Sequence, residues 1–138
     1  MKKYLILTLV LLIGWSISAD AKPKKKTIYM FGLSCDYNDS IMYITEIQKI
    51  EPAYIESKTG FLYDRTIYSQ QLQIFIEEAL GKPQTTCVVF FGYDAKKLEK
   101  KQARVIRKAK GKEKLEIMPL VPGAFKFIRQ EWTEHEEI

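Results

Sequence analysis

The residues of this 138-residue chain that could do chemistry are few and lie far apart in the sequence. There are two cysteines, Cys35 and Cys87, and one histidine, His135, which lies among the glutamates at the end of the chain. Structural zinc sites need several Cys or His ligands at short spacings, and a nucleophilic thiol needs a base beside it. The sequence therefore predicts no metal site, no cofactor and no catalytic cysteine.

The two cysteines are predicted to form a disulfide bond. Cys35 follows the first predicted strand and Cys87 lies near the start of the third, so that both are expected at the same end of the sheet. Disulfides persist in exported proteins, and a bridge that closes a loop of about 53 residues would stabilise the fold by about 4 kcal/mol. The alternative is that Cys87 is a small apolar residue of a buried strand and that Cys35 is a turn residue.

A cluster of short polar residues follows the first strand. Asp36-Tyr-Asn-Asp39 resembles the start of a calcium loop, but Ile41 and Ile47 stand where that loop needs Gly and a bidentate Glu. Asp39-Ser40-Ile41 resembles the acceptor pattern for O-glycosylation of exported proteins in the Bacteroidota, with Ser40 as the acceptor. Asn38-Asp-Ser40 also fits an N-glycosylation sequon. A hairpin turn accounts for the same residues without either modification.

The densest charge in the chain is a basic block between residues 96 and 114, where ten Lys and Arg residues stand against Glu99 and Glu113. On a helix, these residues surround a narrow apolar stripe, and such a patch can bind acidic lipid headgroups, lipopolysaccharide or another polyanion. The alternative is a solvated helix face with a partner inside the same chain. Export and the lack of aromatic residues on the helix argue against nucleic acid. The predicted anion contacts are Lys96, Lys97, Lys100, Lys101, Arg104, Arg107 and Lys108.

The last eight residues form the one dense acidic block, with Glu131, Glu134, Glu136 and Glu137 and no Lys or Arg. Because opposite charges within one small domain attract each other, we expect this acidic tail to fold back over the basic helix.

The first 21 residues have the three parts of a secretory signal. Lys2 and Lys3 precede an uncharged run from Tyr4 to Ile17, and Ala19-Asp20-Ala21 supplies the small residues of a cleavage site. The apolar run is shorter than the roughly 20 residues that span a bilayer. Cleavage before Lys22 removes two lysines and one aspartate and leaves 117 residues with a net charge of +4. We therefore expect a periplasmic or secreted protein without a transmembrane segment in the mature chain.

The elements that must position these residues indicate an α/β domain in which a mixed sheet of four or five strands packs with two helices, in the order β-β-α-β-α-β. The first two strands are expected to pair as an antiparallel hairpin, and the two strand–helix–strand crossovers predict parallel pairing of the second, third and fourth strands. The segment Glu51–Arg65 contains Pro52 and Gly60 and is predicted to be irregular. The predicted strands are Thr27–Phe31, Ile41–Ile50, Thr85–Phe91 and Leu115–Met118, with Ala124–Ile128 as an added edge strand, and the predicted helices are Tyr68–Leu80 and Ala95–Lys110. The predicted domain covers residues 27–130, between a basic leader at 22–26 and the acidic tail at 131–138.

Five short segments resemble a group of small exported proteins of the Bacteroidota. They are Tyr29-Met-Phe-Gly32, Asn38-Asp-Ser40, Tyr68-Ser-Gln-Gln-Leu72, Thr86-Cys-Val-Val-Phe90 and Ala124-Phe-Lys-Phe127. That group has no assigned activity, so the resemblance implies an envelope location and no catalytic residues.

The sequence as a whole favours a non-catalytic exported binding domain that contacts an envelope protein or an anionic surface through its basic helix. The alternative is a small periplasmic enzyme with a site near Glu51–Arg65, where Tyr63, Asp64 and Arg65 could line a pocket. A concave pocket with converging ionisable groups would favour the enzyme. A flat basic helix face would favour the binding domain.

Overall fold

The fold is an α/β domain in which a mixed five-stranded sheet packs with two helices, as the sequence predicts. The computed structural model describes residues 22–36, 40–83 and 85–132. In chain order the elements are β1 (Lys24–Cys35), β2 (Ile41–Ile44), β3 (Gln48–Ile55), α1 (Arg65–Ala79), β4 (Thr86–Gly92), α2 (Ala95–Gly111) and β5 (Glu116–Pro119). The predicted signal segment, residues 1–21, lies outside the described residues.

Strand β1 is the centre of the sheet because it is apolar on both faces, and every residue from Met30 to Ser34 is buried. It pairs antiparallel with β2 at its C-terminal end, with β3 along its N-terminal half and with β4 along its other side. β5 pairs parallel with β2. The strand begins at Lys24, so three residues of the predicted basic leader, Lys24 to Lys26, are exposed strand residues.

The antiparallel hairpin of β1 and β2 is confirmed, but the predicted parallel row of the second, third and fourth strands is wrong, because the third, β4, pairs with neither of the other two, and these, β2 and β5, pair with each other. β4 pairs with β1 and not with β2, so that β2 and β4 run in the same direction with β1 between them. The connection through α1 therefore crosses over the central strand. A strand–helix–strand connection usually joins two neighbouring parallel strands. Here β1 lies between the two strands, because its buried backbone needs a hydrogen-bonded neighbour at each edge.

The predicted single strand over Ile41–Ile50 is also wrong. It is divided into β2, which ends at Ile44, and β3, which begins at Gln48. At the break, the Gly32 N–H donates to the hydroxyl of Thr45 and the Thr45 N–H donates to the Gly32 carbonyl, both at 2.9 Å. β3 then extends through Pro52, within the segment predicted to be irregular. A proline fits there because β3 lies at the sheet edge and its register with β1 shifts at that point.

The two helices lie on opposite faces of the sheet. α1 buries Tyr68, Leu72 and Ile76, which recur every four residues on one side of the helix, on the face that contains Ile28, Met30 and Val89. α2 buries Leu98 and Ala109 on the face that contains Phe31, Leu33, Met42 and Ile44. Side chains alternate between the faces of a strand, which explains why the apolar runs of β1 and β4 are nearly continuous.

Both cysteines are free, so the predicted disulfide is wrong. They do lie at the same end of neighbouring strands, but the register pairs Cys87 with Ser34 and Cys35 with Thr86. An offset of one residue sends two side chains to opposite faces of a sheet. Accordingly, Cys35 packs with the residues under α2, whereas Cys87 packs with those under α1.

Residues Ala124 to Gln130 form an extended segment across the α1 face, here called the C-terminal strap, and not the predicted edge strand. Side chains supply the hydrogen bonds that a neighbouring strand would give. The amide of Gln48 donates to the Phe125 carbonyl at 3.1 Å and accepts from the Phe127 N–H at 2.8 Å. The amide of Gln71 holds both backbone groups of Ile128 in the same way, at 2.9 and 2.8 Å. The side chain of Phe125, a strap residue, is buried, so the strap is part of the core.

Candidate functional site

Helix α2 is held in a fixed orientation by contacts at its start and along its buried side. Its first turn is capped by Asp94, whose carboxylate accepts from the backbone N–H groups of Lys96 at 2.9 Å and Lys97 at 3.4 Å. Leu98 and Ala109 are buried against the sheet. Between them, the side-chain amide of Gln102 donates to the Thr45 carbonyl at 3.0 Å. The outward face of α2 is thus a defined surface.

That outward face is basic. All seven residues predicted as anion contacts are exposed: Lys96, Lys97, Lys100, Lys101, Arg104, Arg107 and Lys108. At 3.6 residues per turn, Lys100, Arg104 and Arg107 lie opposite the buried side of the helix. Ion pairs are found elsewhere, between Lys49 and Glu51 and between Arg129 and Glu131. Within residues 22–36, 40–83 and 85–132, no carboxylate oxygen lies within 4.0 Å of the charged side-chain nitrogens of these seven residues.

A shallow notch of about 250 Å³ adjoins the start of this basic face. Its lining includes Phe91, Tyr93, Lys97 and Lys101, and the rings of Phe91 and Tyr93 lie 6.3 Å apart, edge to face. Tyr93 is 55% exposed. The Lys101 ammonium lies 5.0 Å from the centre of the Phe90 ring. Aromatic residues thus do accompany the basic helix, although none lies on it.

The sequence analysis does not predict these aromatic residues, because it considers only residues of the helix itself. They belong to the end of β4 and to the turn that follows. A signal for Tyr93 was present, since it directly precedes the capping residue Asp94 and the first helical turn. A residue in that position lies beside the N-terminal end of the helix face.

The acidic tail lies largely outside the described residues, which end at Trp132. Glu131 is described, and it pairs with Arg129 at 2.8 Å and not with α2. Glu134, Glu136 and Glu137 are not described, so that the contact between the tail and α2 stays a prediction.

Ser40, the predicted glycosylation acceptor, is exposed at the residue before β2. Its carbonyl accepts from the Glu116 N–H at 2.7 Å, which aligns the start of β2 with β5. Asn38 and Asp39 lie outside the described residues. The hydroxyl is on the surface, and its modification stays a prediction.

A cleft of about 320 Å³ lies in the segment where an alternative enzymatic site is predicted. Its lining includes Glu56, Ser57, Thr59 and Tyr63. The Ser57 hydroxyl donates to the Lys22 carbonyl at 2.6 Å, and the Thr59 hydroxyl donates to the Glu56 carboxylate at 2.7 Å. The second bond closes the turn between β3 and α1, and the first holds this turn to the residues before β1.

The three residues predicted to line an enzymatic pocket do not converge. Only Tyr63 lines the cleft, and Asp64 precedes the first residue of α1. Arg65 points to β4, where it donates to the Val89 carbonyl at 2.7 Å and lies 5.7 Å from the centre of the Phe91 ring. The cleft is therefore a concave surface in which the hydroxyls of Ser57 and Thr59 are already hydrogen-bonded.

The thiols are unsuited to nucleophilic chemistry at neutral pH. Burial raises the pKa of both, and it raises the pKa of Cys87 to about 11, so that the reactive thiolate is scarce. In the part of the chain that the structure describes, no three Cys, His, Asp or Glu residues are grouped to hold a metal ion. Neither described helix has the length and apolar character that crossing a membrane requires.

No protein-family model matches the chain, and no match to it is found among curated proteins or solved structures. The resemblance to exported Bacteroidota proteins therefore stays a prediction from short segments.

Proposed function

We propose that this protein is a non-catalytic, exported binding domain that contacts an anionic component of the cell envelope through the outward face of α2. The observation that carries the proposal is the set of seven exposed basic side chains on one helix face, whose charged groups form no ion pair among the described residues. Near an anionic membrane surface each Lys or Arg contributes about 1 kcal/mol. The affinity of such a face is the sum of several weak contacts, so that no deep pocket is needed.

Two further features support a surface that binds anions. The contacts of Asp94, Leu98 and Gln102 fix the helix on the sheet, so that the basic residues form a defined surface and not a mobile tail. Tyr93 adds an exposed aromatic ring at the edge of that surface, and such rings are favoured at the boundary between lipid and water.

The envelope location rests on the N-terminal signal pattern. Protein purified from an exporting host should begin at Lys22, because the Ala19-Asp20-Ala21 site precedes it. N-terminal sequencing that finds Met1 in the exported fraction would contradict this assignment.

The binding experiment compares two triple variants that lose the same charge. One is Lys100→Gln, Arg104→Gln, Arg107→Gln on the outward face of α2, and the control is Lys24→Gln, Lys25→Gln, Lys26→Gln at the exposed start of β1. Sedimentation with vesicles of phosphatidylglycerol and phosphatidylcholine, at low salt, measures the affinity. Vesicles of phosphatidylcholine alone give the baseline.

We expect the α2 variant to lose roughly 100-fold in affinity, which corresponds to three contacts of about 1 kcal/mol each. The control variant should keep its affinity within about threefold. Equal losses for the two variants would show that net charge alone matters, and no binding by the native chain would contradict the lipid arm of the proposal. Repeating the assay with lipopolysaccharide separates the two envelope sources of phosphate.

The enzymatic alternative is supported only by the position of the cleft at Glu56 to Tyr63. The hydroxyls of Ser57 and Thr59 in this cleft already donate to the Lys22 carbonyl and the Glu56 carboxylate. We therefore favour the binding domain.

A further inference from the structure

Four basic residues of α2 form a row along the side of the helix that faces β4. They are Lys97, Lys101, Arg104 and Lys108, and intervals of four, three and four residues place them on one side of an α-helix. The contact of Lys101 shows which side this is, because its ammonium lies 5.0 Å from the centre of the Phe90 ring in β4. The row therefore runs beside β4, next to the outward face described above.

The notch of about 250 Å³ lies at the start of this row, where β4 ends and α2 begins. Lys97 and Lys101 both belong to its lining, and a spacing of four residues places them about 6 Å apart along the helix axis. Gly92, which has no side chain, and the buried Leu98 also line it. Pockets for drug-sized ligands measure about 300–1,000 Å³, so this smaller notch suits a ligand with a single ring.

Tyr93 adds an accessible aromatic side chain to the lining of the notch. It is 55% exposed, and its ring meets the Phe91 ring edge to face at 6.3 Å. A contact of this kind covers at most one face of the Tyr93 ring. An open aromatic face packs well against the C–H groups of another ring, which provides an apolar contact beside the two lysines.

Asp94 gives the notch a means of selecting among anions. It belongs to the lining, and both bonds of its helix cap end at the same oxygen, Oδ1. The negative charge of the carboxylate opposes a bare phosphate ion, whereas Oδ2, which the cap does not use, can accept from hydroxyl groups. A ligand that carries hydroxyl groups beside its phosphate therefore matches both Asp94 and the lysines.

We infer that the notch binds a phosphorylated sugar, with the sugar ring against Tyr93, the phosphate at Lys97 and Lys101, and a ring hydroxyl at Asp94. The inference rests on the proposed function, because it names the ligand class for one part of the same basic surface. Lysine binds phosphate as a point charge without a fixed geometry, which suits an open site. Two sources share this chemistry, the phosphorylated sugars of lipopolysaccharide and free sugar phosphates.

Titration of the complete chain with glucose 1-phosphate at low salt tests the site. The backbone amide signals of the labelled protein report the contact. We expect the signals of Tyr93, Lys97 and Lys101 to shift, with an affinity at least tenfold higher than that for inorganic phosphate or for glucose. Unchanged signals at these residues, or an affinity no higher than that for either part alone, would overturn the inference.

A pair of glycine variants tests whether the notch itself is needed. Gly92→Val adds a side chain among the lining residues without a change in charge, and its Cβ atom would meet only Leu98 Cδ1, at 3.8 Å. The control is Gly111→Val at the other end of α2, where a Cβ atom meets nothing within 4 Å. Gly92→Val should lower the affinity for glucose 1-phosphate at least tenfold, and the control should stay within twofold of the native chain. Equal effects would overturn the inference.

A pair of lysine variants gives the same test without altering the backbone. Lys101→Gln removes one ammonium group of the notch, and Lys110→Gln removes the same charge in the last turn of α2. We expect Lys101→Gln to lower the affinity for glucose 1-phosphate at least fivefold and Lys110→Gln to change it less than twofold. Equal losses would mean that net charge sets the affinity, which contradicts a site at the notch.

Competition distinguishes the two sources of the ligand. Glucose 1-phosphate should displace the native chain from lipopolysaccharide but not from phosphatidylglycerol vesicles, whose headgroup has no sugar ring. Binding of glucose 1-phosphate without displacement from lipopolysaccharide would support the site and assign it to a free sugar phosphate. A chain that binds the vesicles but not glucose 1-phosphate contradicts only this inference. A chain that binds glucose 1-phosphate but neither vesicles nor lipopolysaccharide contradicts only the proposed function.

Discussion

A single hydroxyl, that of Thr45, joins the central strand to the row formed by β2 and β3. It accepts from the buried N–H of Gly32 at 2.9 Å and donates to the Glu46 carbonyl at 2.9 Å. The same residue offers its own carbonyl to Gln102 on α2. Thr45 therefore links three elements at the point where the ladder is interrupted.

Thr45→Val should lower the free energy of unfolding by about 1–3 kcal/mol, because it leaves the buried Gly32 N–H without a partner in a site of nearly unchanged volume. Thr45→Ser keeps the oxygen and is the matched control. Urea unfolding of both variants checks the prediction. If the two variants lose the same free energy of unfolding, the Thr45 hydroxyl does not stabilise the junction between β2 and β3.

The thiol of Cys87 gives the protein a predicted dependence on alkaline pH. Burial raises its pKa from the ordinary 9.0 to about 11 in the folded protein. Below pH 9 the thiol is protonated in both states and the stability is complete. Between about pH 9 and 11 the unfolded chain ionises while the folded one does not, so the stability falls as the pH rises.

Cys87→Ala should remove this part of the pH dependence. We expect the urea midpoint of the native chain to fall more steeply between pH 9 and 11 than that of the variant. Tyr68, whose pKa is also raised by burial, is present in both proteins and cancels in the comparison. Parallel curves would contradict the assigned pKa.

At the scale of the elements, helix α1 and the strap close one face of the sheet together. Leu72 is 1% exposed, and its end lies above Gly32, where a Cβ atom would stand 2.7 Å from Leu72 Cδ2. The glycine thus makes room for the leucine. Phe125 of the strap packs against Leu72 and Ile76, and the amide of Gln71 holds the strap from the same helix.

Leu72→Ala should cost about 2–5 kcal/mol in unfolding free energy, because it opens a cavity above the central strand. The control is Ile74→Ala on the same helix, where the side chain is 53% exposed, and the expected loss is below about 0.5 kcal/mol. Thermal or urea unfolding measures both. Similar losses at the two positions would mean that the helix faces the sheet with a different side.

The helices could be predicted because their signal is local. The apolar period of α1 and the basic face of α2 depend on residues within a few turns of one another, and both helices lie within three residues of their predicted bounds. The pairing of strands depends on distant residues. The exchange between Gly32 and Thr45 breaks the predicted second strand, and the register that separates Cys35 from Cys87 follows from the position of β4 beside β1. Neither the break in the strand nor the register of β4 leaves a local pattern in the sequence.

The C-terminal strap could not be predicted either, because its hydrogen-bond partners are distant in the sequence. Its apolar residues suggest a strand, and Phe125 is buried as a strand residue would be. Its backbone partners, however, are the side-chain amides of Gln48 and Gln71, which lie 77 and 57 positions away. Glutamine in a sequence gives no sign of such a partner.

At the scale of the whole molecule, the two faces of the sheet are covered differently. One face of the sheet is closed by α1 and the strap, and the other supports α2 with its basic outer surface. The charge pattern alone predicts the candidate surface for binding, since eight of the ten basic residues in the block lie within α2 and leave few arrangements on one helix. The notch at Tyr93 could not be predicted that way, because it forms where β4 and α2 meet.

The measurement that tests the proposed function most directly is the location of the contact with lipid. Backbone amide signals of the labelled protein are recorded with vesicles of phosphatidylglycerol and phosphatidylcholine that carry a spin-labelled lipid. Broadening then reports which residues approach the membrane surface. We predict the strongest broadening at Lys100, Arg104 and Arg107, with Tyr93 next, and little at Lys24 to Lys26 or at Ile74 on the opposite helix. Broadening centred on α1 or on the start of β1, with the α2 signals unchanged, would contradict the assignment of α2 as the binding surface.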